Sequence, residues 1–154
     1  MVCIAPPPFV VSATVVASAN PGQPPRFRAH GLSARYIAPS GNMDFHCFKH
    51  PILVVFRLAS PKVAFADGND ALSFSDQGDA RQVMVLRPRN HQFPGGIQHI
   101  DRRSIWFVYA NEIDCGVAGV PPHCEKSAYK LNIVDVRGKV HPADPIINNG
   151  GSIY

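Results

Sequence analysis

Leucine and glutamate are scarce, six and two of 154 residues, against sixteen valines and eleven isoleucines. Helices draw on unbranched side chains that keep their rotamer freedom against the preceding turn, whereas β-branched ones pack well on a pleated surface. The shortage therefore excludes a helical bundle. Fifteen prolines, among them Pro24-Pro25, Pro51, Pro61, Pro88, Pro94 and Pro121-Pro122, interrupt nearly every stretch long enough for a helix. At most one short helical turn is expected. Charge is thin too, at 17% of residues, and mean hydropathy is −0.03, a balance that fits neither a membrane bundle nor a disordered tail. No apolar run is long enough to span a bilayer as a helix.

What the chain has is strands. Residues 9–18, 26–30, 43–48, 52–58, 81–87, 104–111 and 129–136 are β-rich runs bounded by turn residues such as Asn20-Pro21-Gly22, Asp67-Gly68-Asn69-Asp70 and Pro94-Gly95-Gly96. In the run 52–58, Ile52, Val54, Phe56 and Leu58 share one face and Leu53, Val55 and Arg57 the other, which predicts a central strand nearly buried on both sides. Ile105, Phe107 and Tyr109 alternate with Trp106 and Val108, and Tyr129, Leu131 and Ile133 repeat the pattern. Seven to nine short strands with several long connections predict an all-β, two-sheet antiparallel β-sandwich rather than a closed barrel.

Net charge is +4 and unevenly placed, with no acidic residue in positions 1–43. The basic excess lies in residues 81–104. There Arg81, Arg87, Arg89, Arg102 and Arg103 can form a patch for phosphate or sulfate groups, since guanidinium grips such oxyanions bidentately. The plainer reading is a solvated strand edge whose charges discourage edge-to-edge pairing. Only Phe93 is interleaved with these arginines, so a single-strand nucleic-acid platform is not expected.

The four cysteines are Cys3, Cys47, Cys115 and Cys124. Cys115 and Cys124 bracket a Gly/Pro-rich segment and read as the two ends of a disulfide-closed loop; Cys3 with Cys47 is a second pairing that nothing local selects. Disulfides point to a periplasmic or secreted protein. Residues 9–19 superficially resemble a signal peptide ending in Ala17-Ser18-Ala19, but no Lys or Arg precedes them and three prolines do, so they read as a strand.

Candidate chemistry is sparse. His46, Cys47 and His50 are the densest set of copper or zinc donors, yet on a strand His46 and His50 would stand about 13 Å apart, so partners such as His99, His123 or His141 would be needed. There is no Gly-x-Ser-x-Gly elbow, no phosphate loop and no His-Glu-x-x-His, so an enzyme is not expected, and no cofactor is implied. Trp106, Tyr109, Phe93 and Tyr36 would offer a stacking surface for a sugar or peptide if two of them lay together on an open face. A sheet edge can instead recruit a strand from a protein partner or a second copy, a role suited to residues 9–18.

The run 52–58, Val63 to Gly68, Leu72-Ser73-Phe74, Phe107 to Asn111, Tyr129 to Ile133 and Asp144-Pro145-Ile146-Ile147-Asn148-Asn149 together resemble a loose group of small bacterial proteins. These share a hydrophobic strand, a Phe-x-x-x-Gly turn, a Tyr-Lys-Tyr-like strand and a terminal Asp-Pro-x-Ile-x-Asn. The resemblance covers roughly residues 43–150, departs at Leu131 where the group has an aromatic, and leaves residues 1–42 as an added strand or arm. It implies an immunoglobulin-like or cupredoxin-like sandwich of unknown role. The expectation is a non-catalytic binding or structural module, with a polyanion-binding or metal-binding sandwich as the rival readings.

Overall fold

The computed structural model describes residues 3, 7–17, 23–74, 95–111, 126–135, 140–143 and 146–148. Their strands are β1 (Val10–Val16), β2 (Arg26–Ala29), β3 (Met43–Asp44), β4 (Ile52–Leu58), β5 (Val63–Phe65), β6 (Leu72–Phe74), β7 (Gln98–Asp101), β8 (Ser104–Tyr109), β9 (Lys126–Asp135), β10 (Val140–Ala143) and β11 (Ile146–Asn148). Seven have four residues or more, and the others are stubs of two or three. Helical structure among the described residues is limited to two short 3-10 turns, Gly31–Arg35 and Gly68–Ala71. The second corrects the expectation of a plain turn after Asp67: Gly68 takes φ +56°, and Asp70 N–H donates to the Asp67 carbonyl, so the chain coils for one step before β6.

The first sheet runs β2-β1-β4-β8-β7, and β4 is central, parallel to β1 and antiparallel to β8. The central place predicted for β4 is present, but near-burial of both faces is corrected: Ile52, Val54, Phe56 and Leu58 are buried, whereas Leu53 and Val55 are half-buried and Arg57 is exposed, so only the face toward the core is sealed. The second sheet is organised on β9. Along its ten residues β9 is paired by β5 and β6 on one side and β10 on the other, and β11 carries the sheet on to β3. Antiparallel pairing dominates, and β1 with β4 and β11 with β3 are the parallel exceptions.

Between the sheets lies one apolar core. Val11, Ala13 and Val15, Phe56, Phe107 and Tyr109 come from the first sheet, and Phe65, Leu72, Tyr129, Leu131, Ile133 and Ile147 from the second. Each large side chain sealed there contributes about 1.5–3 kcal/mol by leaving water. Phe56 and Tyr129 face each other across the sandwich with ring centroids 6.4 Å apart and planes 11° from parallel. Of the two expectations for residues 1–42, an added strand or an arm, the described part takes the first: β1 lies between β2 and β4 and buries one whole face.

Candidate functional site

Among the described residues, three places bring chemistry-bearing side chains together. The first is the bend that follows β3. Phe45 and Phe48 are fully buried, and Phe48 N–H donates to the Phe45 carbonyl at 2.9 Å, closing a tight turn over residues 45–48. Both rings drive inward: Phe48 meets Tyr36 at 4.6 Å and Phe45 at 5.2 Å, and Phe45 meets Tyr109 at 5.8 Å. With the first and last residues of the turn anchored, the middle pair, His46 and Cys47, is left at the surface. Asn111 fixes the far end, donating from Nδ2 to the Phe48 carbonyl at 3.0 Å while fully buried and at φ 58°.

On this turn Asp44 Oδ1 accepts from the His46 backbone N–H at 3.2 Å and from its Nδ1 at 2.6 Å. A proton held on Nδ1 leaves Nε2 to face outward, and Nε2 lies 3.4 Å from Cys47 Sγ. Cys47 is bonded to Cys3 with an S–S distance of 2.10 Å. The donor atoms of Cys3, His46 and Cys47 all lie within 4.8 Å of one another.

The expected metal trio is therefore corrected. Residues 45–50 do not extend β3 as a strand, because two inward-facing aromatics three positions apart demand a turn. His50 points away from His46: its ring packs 4.3 Å from Phe9 and 5.4 Å from Phe48, its Nδ1 bonds the Pro51 carbonyl at 2.8 Å, and its Nε2 is buried. Cys3 takes its place. The pairing of Cys3 with Cys47 is resolved, whereas Cys115 and Cys124 lie outside the described residues.

The second place is the β7–β8 turn. Arg102 and Arg103 occupy its tip, where Asp101 Oδ1 accepts the Arg103 backbone N–H at 2.8 Å. That bond above all, helped by the Ser104 hydroxyl and the Arg103 and Arg57 charges, holds the Asp101 carboxyl below the usual carboxylate range against the opposing effect of desolvation. The turn is tied into both sheets, since its Arg102 carbonyl accepts from Phe65 N–H and its Arg103 carbonyl from Leu58 N–H. Lys62, Arg102, Arg103 and Asp135 line a hollow of about 250 Å³. Lys62 was not anticipated, having no basic neighbour in sequence. Arg81, Arg87 and Arg89, with Phe93, lie outside the described residues. His99 Nε2 donates to the Gly68 carbonyl, 2.9 Å away, rather than joining a metal or anion set.

The third place is a groove of about 690 Å³ beside β2, with exposed Arg26 and Arg28 on one side and Val16, Phe27, Ile37 and Pro39 as its apolar lining. Phe27 N–H, which faces away from β1, is taken by the Pro39 carbonyl at 2.8 Å, so the β2 edge is partly closed by the chain's own loop. Close by, His30 bridges Ser12 and Thr14 through Nδ1 at 2.9 Å and Nε2 at 2.6 Å, which commits both ring nitrogens to hydroxyls. The condition for an aromatic stacking surface, two of these rings together on an open face, is not met by Tyr36, Tyr109 and Trp106: Tyr36 and Tyr109 are buried in the core, and Trp106 is half-buried on the opposite face of β8.

Among the described residues no helix is long and apolar enough to cross a membrane. Compared with protein-family profiles, curated proteins and solved structures, the chain matches none.

Proposed function

We propose that the protein is a non-catalytic binding module of an oxidising compartment, periplasmic or secreted, and that the groove beside β2 takes an extended acidic peptide segment of a protein partner. The observation that carries this reading is the pairing of Arg26 and Arg28 with an apolar lining, in a part of the chain that has no acidic residue before Asp44. A positive rim unopposed by local carboxylates steers acidic ligands, while the lining adds apolar burial. The groove's volume falls within the range of about 300–1,000 Å³ usual for ligand sites. Because Phe27 N–H is already bonded to Pro39, the peptide lies in the groove and does not extend the sheet as a further strand.

The Cys3–Cys47 bond supports the compartment. A non-catalytic role is supported by the two histidines with side-chain partners: His30 is taken up by two hydroxyls, and the line from Asp44 through His46 ends on a disulfide sulfur, not a free thiol.

The test is fluorescence anisotropy of a labelled peptide of alternating Glu and Leu at about 20 mM salt, where charge attraction is little screened. Saturable binding that weakens at least about tenfold in the Arg26→Glu/Arg28→Glu variant is the expected result, equivalent to roughly 1.4 kcal/mol. Absence of binding, or binding indifferent to the charge reversal or to replacement of Glu by Lys in the peptide, overturns the reading.

A further inference from the structure

The corner made by Cys3, His46 and Cys47 is independent of the groove and carries a separate proposal. Three soft or borderline donors converge there within 4.8 Å. Two are sulfurs joined to each other, and the third is an imidazole whose Nδ1 is held by Asp44 at 2.6 Å so that Nε2 faces the sulfurs. A carboxylate behind a histidine is the arrangement by which metal sites set the ring's tautomer and orientation. The separation of Nε2 from Cys47 Sγ, 3.4 Å, is close to the roughly 3.5 Å that separates two ligand atoms across a tetrahedral zinc with Zn–S about 2.3 Å and Zn–N about 2.0 Å. Nothing in a disulfide by itself requires an imidazole so placed.

We propose that reduction of the Cys3–Cys47 bond turns this corner into a zinc site, with Cys3 Sγ, Cys47 Sγ and His46 Nε2 as ligands and a solvent-facing fourth position. The reductant is a low-molecular-weight thiol. Two such thiols deliver two electrons and two protons to the protein disulfide, giving two cysteine thiols and one small-molecule disulfide. The ion then displaces both thiol protons and binds two thiolates and a neutral imidazole. The two sulfurs need only part to roughly 3.8 Å, the sulfur–sulfur edge of such a tetrahedron, a shift that side-chain rotation provides. Access is open, because Cys3 is exposed and the His46 side chain is 41% exposed.

Bond and ion are thus alternative fastenings of the same two pieces of chain: either one ties the segment before β1 to the turn after β3. An oxidising medium closes the bond, and a thiol-rich, zinc-bearing one exchanges it for the metal.

The experiment uses the full chain carrying Cys115→Ser and Cys124→Ser, so that no other thiol competes. The protein is reduced with a phosphine, desalted without oxygen and titrated with Co²⁺, whose sulfur-to-metal absorption reports thiolate ligation, and then with Zn²⁺ in competition. The expected result is one ion per chain in the reduced form and none in the oxidised form, with affinity falling about tenfold or more in Asp44→Asn and further in His46→Ala. If the double serine variant does not fold, as judged by circular dichroism, the same titration on the four-cysteine chain is compared with its Cys3→Ser variant. Reduced protein that binds no ion, or binding that survives His46→Ala or Cys3→Ser unchanged, overturns the proposal.

Discussion

The hydroxyl of Tyr129, on β9, donates a 2.5 Å hydrogen bond to the carbonyl of Gly41, in the turn that leads into β3. The donor is fully buried, and the glycine that receives it is closed in from the other side by the Phe27 ring. One side chain of the second sheet thus pins a turn whose neighbour, Met43, pairs with β11 of the same sheet.

Tyr129→Phe is expected to cost about 1–3 kcal/mol, since the Gly41 carbonyl is left buried without its donor. Gly41→Ala is expected to cost more: φ is +91°, and an added Cβ would stand 2.4 Å from the Phe27 ring. Urea unfolding of the two variants orders them, and equal costs would contradict this account.

Burial also pushes the Tyr129 hydroxyl well above the ordinary tyrosine value near 10. The folded chain therefore holds its proton where the unfolded chain releases it. The resulting stabilisation is complete below about pH 10 and is lost as pH rises beyond it, by up to about 1.4 kcal/mol per pH unit. Alkaline unfolding followed by circular dichroism, with phenolate absorbance alongside, should show this slope in the native chain and a shallower one in Tyr129→Phe.

Asn111 separates backbone strain from hydrogen bonding. At φ 58° it occupies the left-handed region, and its Nδ2 serves the Phe48 carbonyl. Asn111→Gly keeps the backbone relaxed and loses the bond, at about 1–3 kcal/mol; Asn111→Ala adds roughly 1–2 kcal/mol for the forced conformation. Denaturant melts of both variants check the difference, and an alanine variant as stable as the glycine one would refute it.

The Cys3–Cys47 bond closes a loop of 44 residues, worth about 4 kcal/mol in the chain-entropy account. Cys3→Ser should lower stability by that order without disturbing the near-ultraviolet signature of the core, because Cys3 itself is exposed. Intact mass after alkylation without reductant supplies the thiol count, and two additional alkylated sites in the reduced chain are expected from this pair.

Acid should act on the β7–β8 turn. Asp101 has its carboxyl lowered chiefly by the Arg103 backbone N–H, so its contribution is present above about pH 4 and is lost as pH falls through the lowered value. Asp101→Asn should differ from the native chain near neutrality and converge with it in acid, which paired pH melts would reveal.

Much of the sandwich was legible in the residues. The alternation in β4 and in residues 129–135 of β9 survives in the structure because each buries one face, and period-two patterning is what one buried face writes into a sequence; β8 is sealed on both faces apart from Trp106. Less legible was the bend at residues 45–48. Phe45, His46, Cys47 and Phe48 look like four more strand residues, yet the two phenylalanines lie three apart and so cannot both face one side of a strand. That spacing, with Asp44 placed to accept the His46 N–H, was the available sign of a turn.

Cysteine pairing was beyond reach, since it depends on where the chain returns in space. So did the replacement of His50 by Cys3 in the donor cluster, and the recruitment of Lys62 to Arg102 and Arg103. The parallel alignment of β1 with β4 was equally hidden, because alternation reports which face is buried and says nothing about strand direction.

That alignment has a consequence for how the molecule comes together. Between β1 and its parallel neighbour β4 the chain leaves the first sheet, contributes β3 to the second, and returns. The partner of β3 is β11, so Met43 finds its place only when Ile147 arrives. During synthesis, the strand at residues 43–44 waits for residues 146–148 before it is paired to its sheet. Such sequence-distant closure slows folding, and it leaves that edge of the second sheet open in the emerging polypeptide until residues 146–148 have been made.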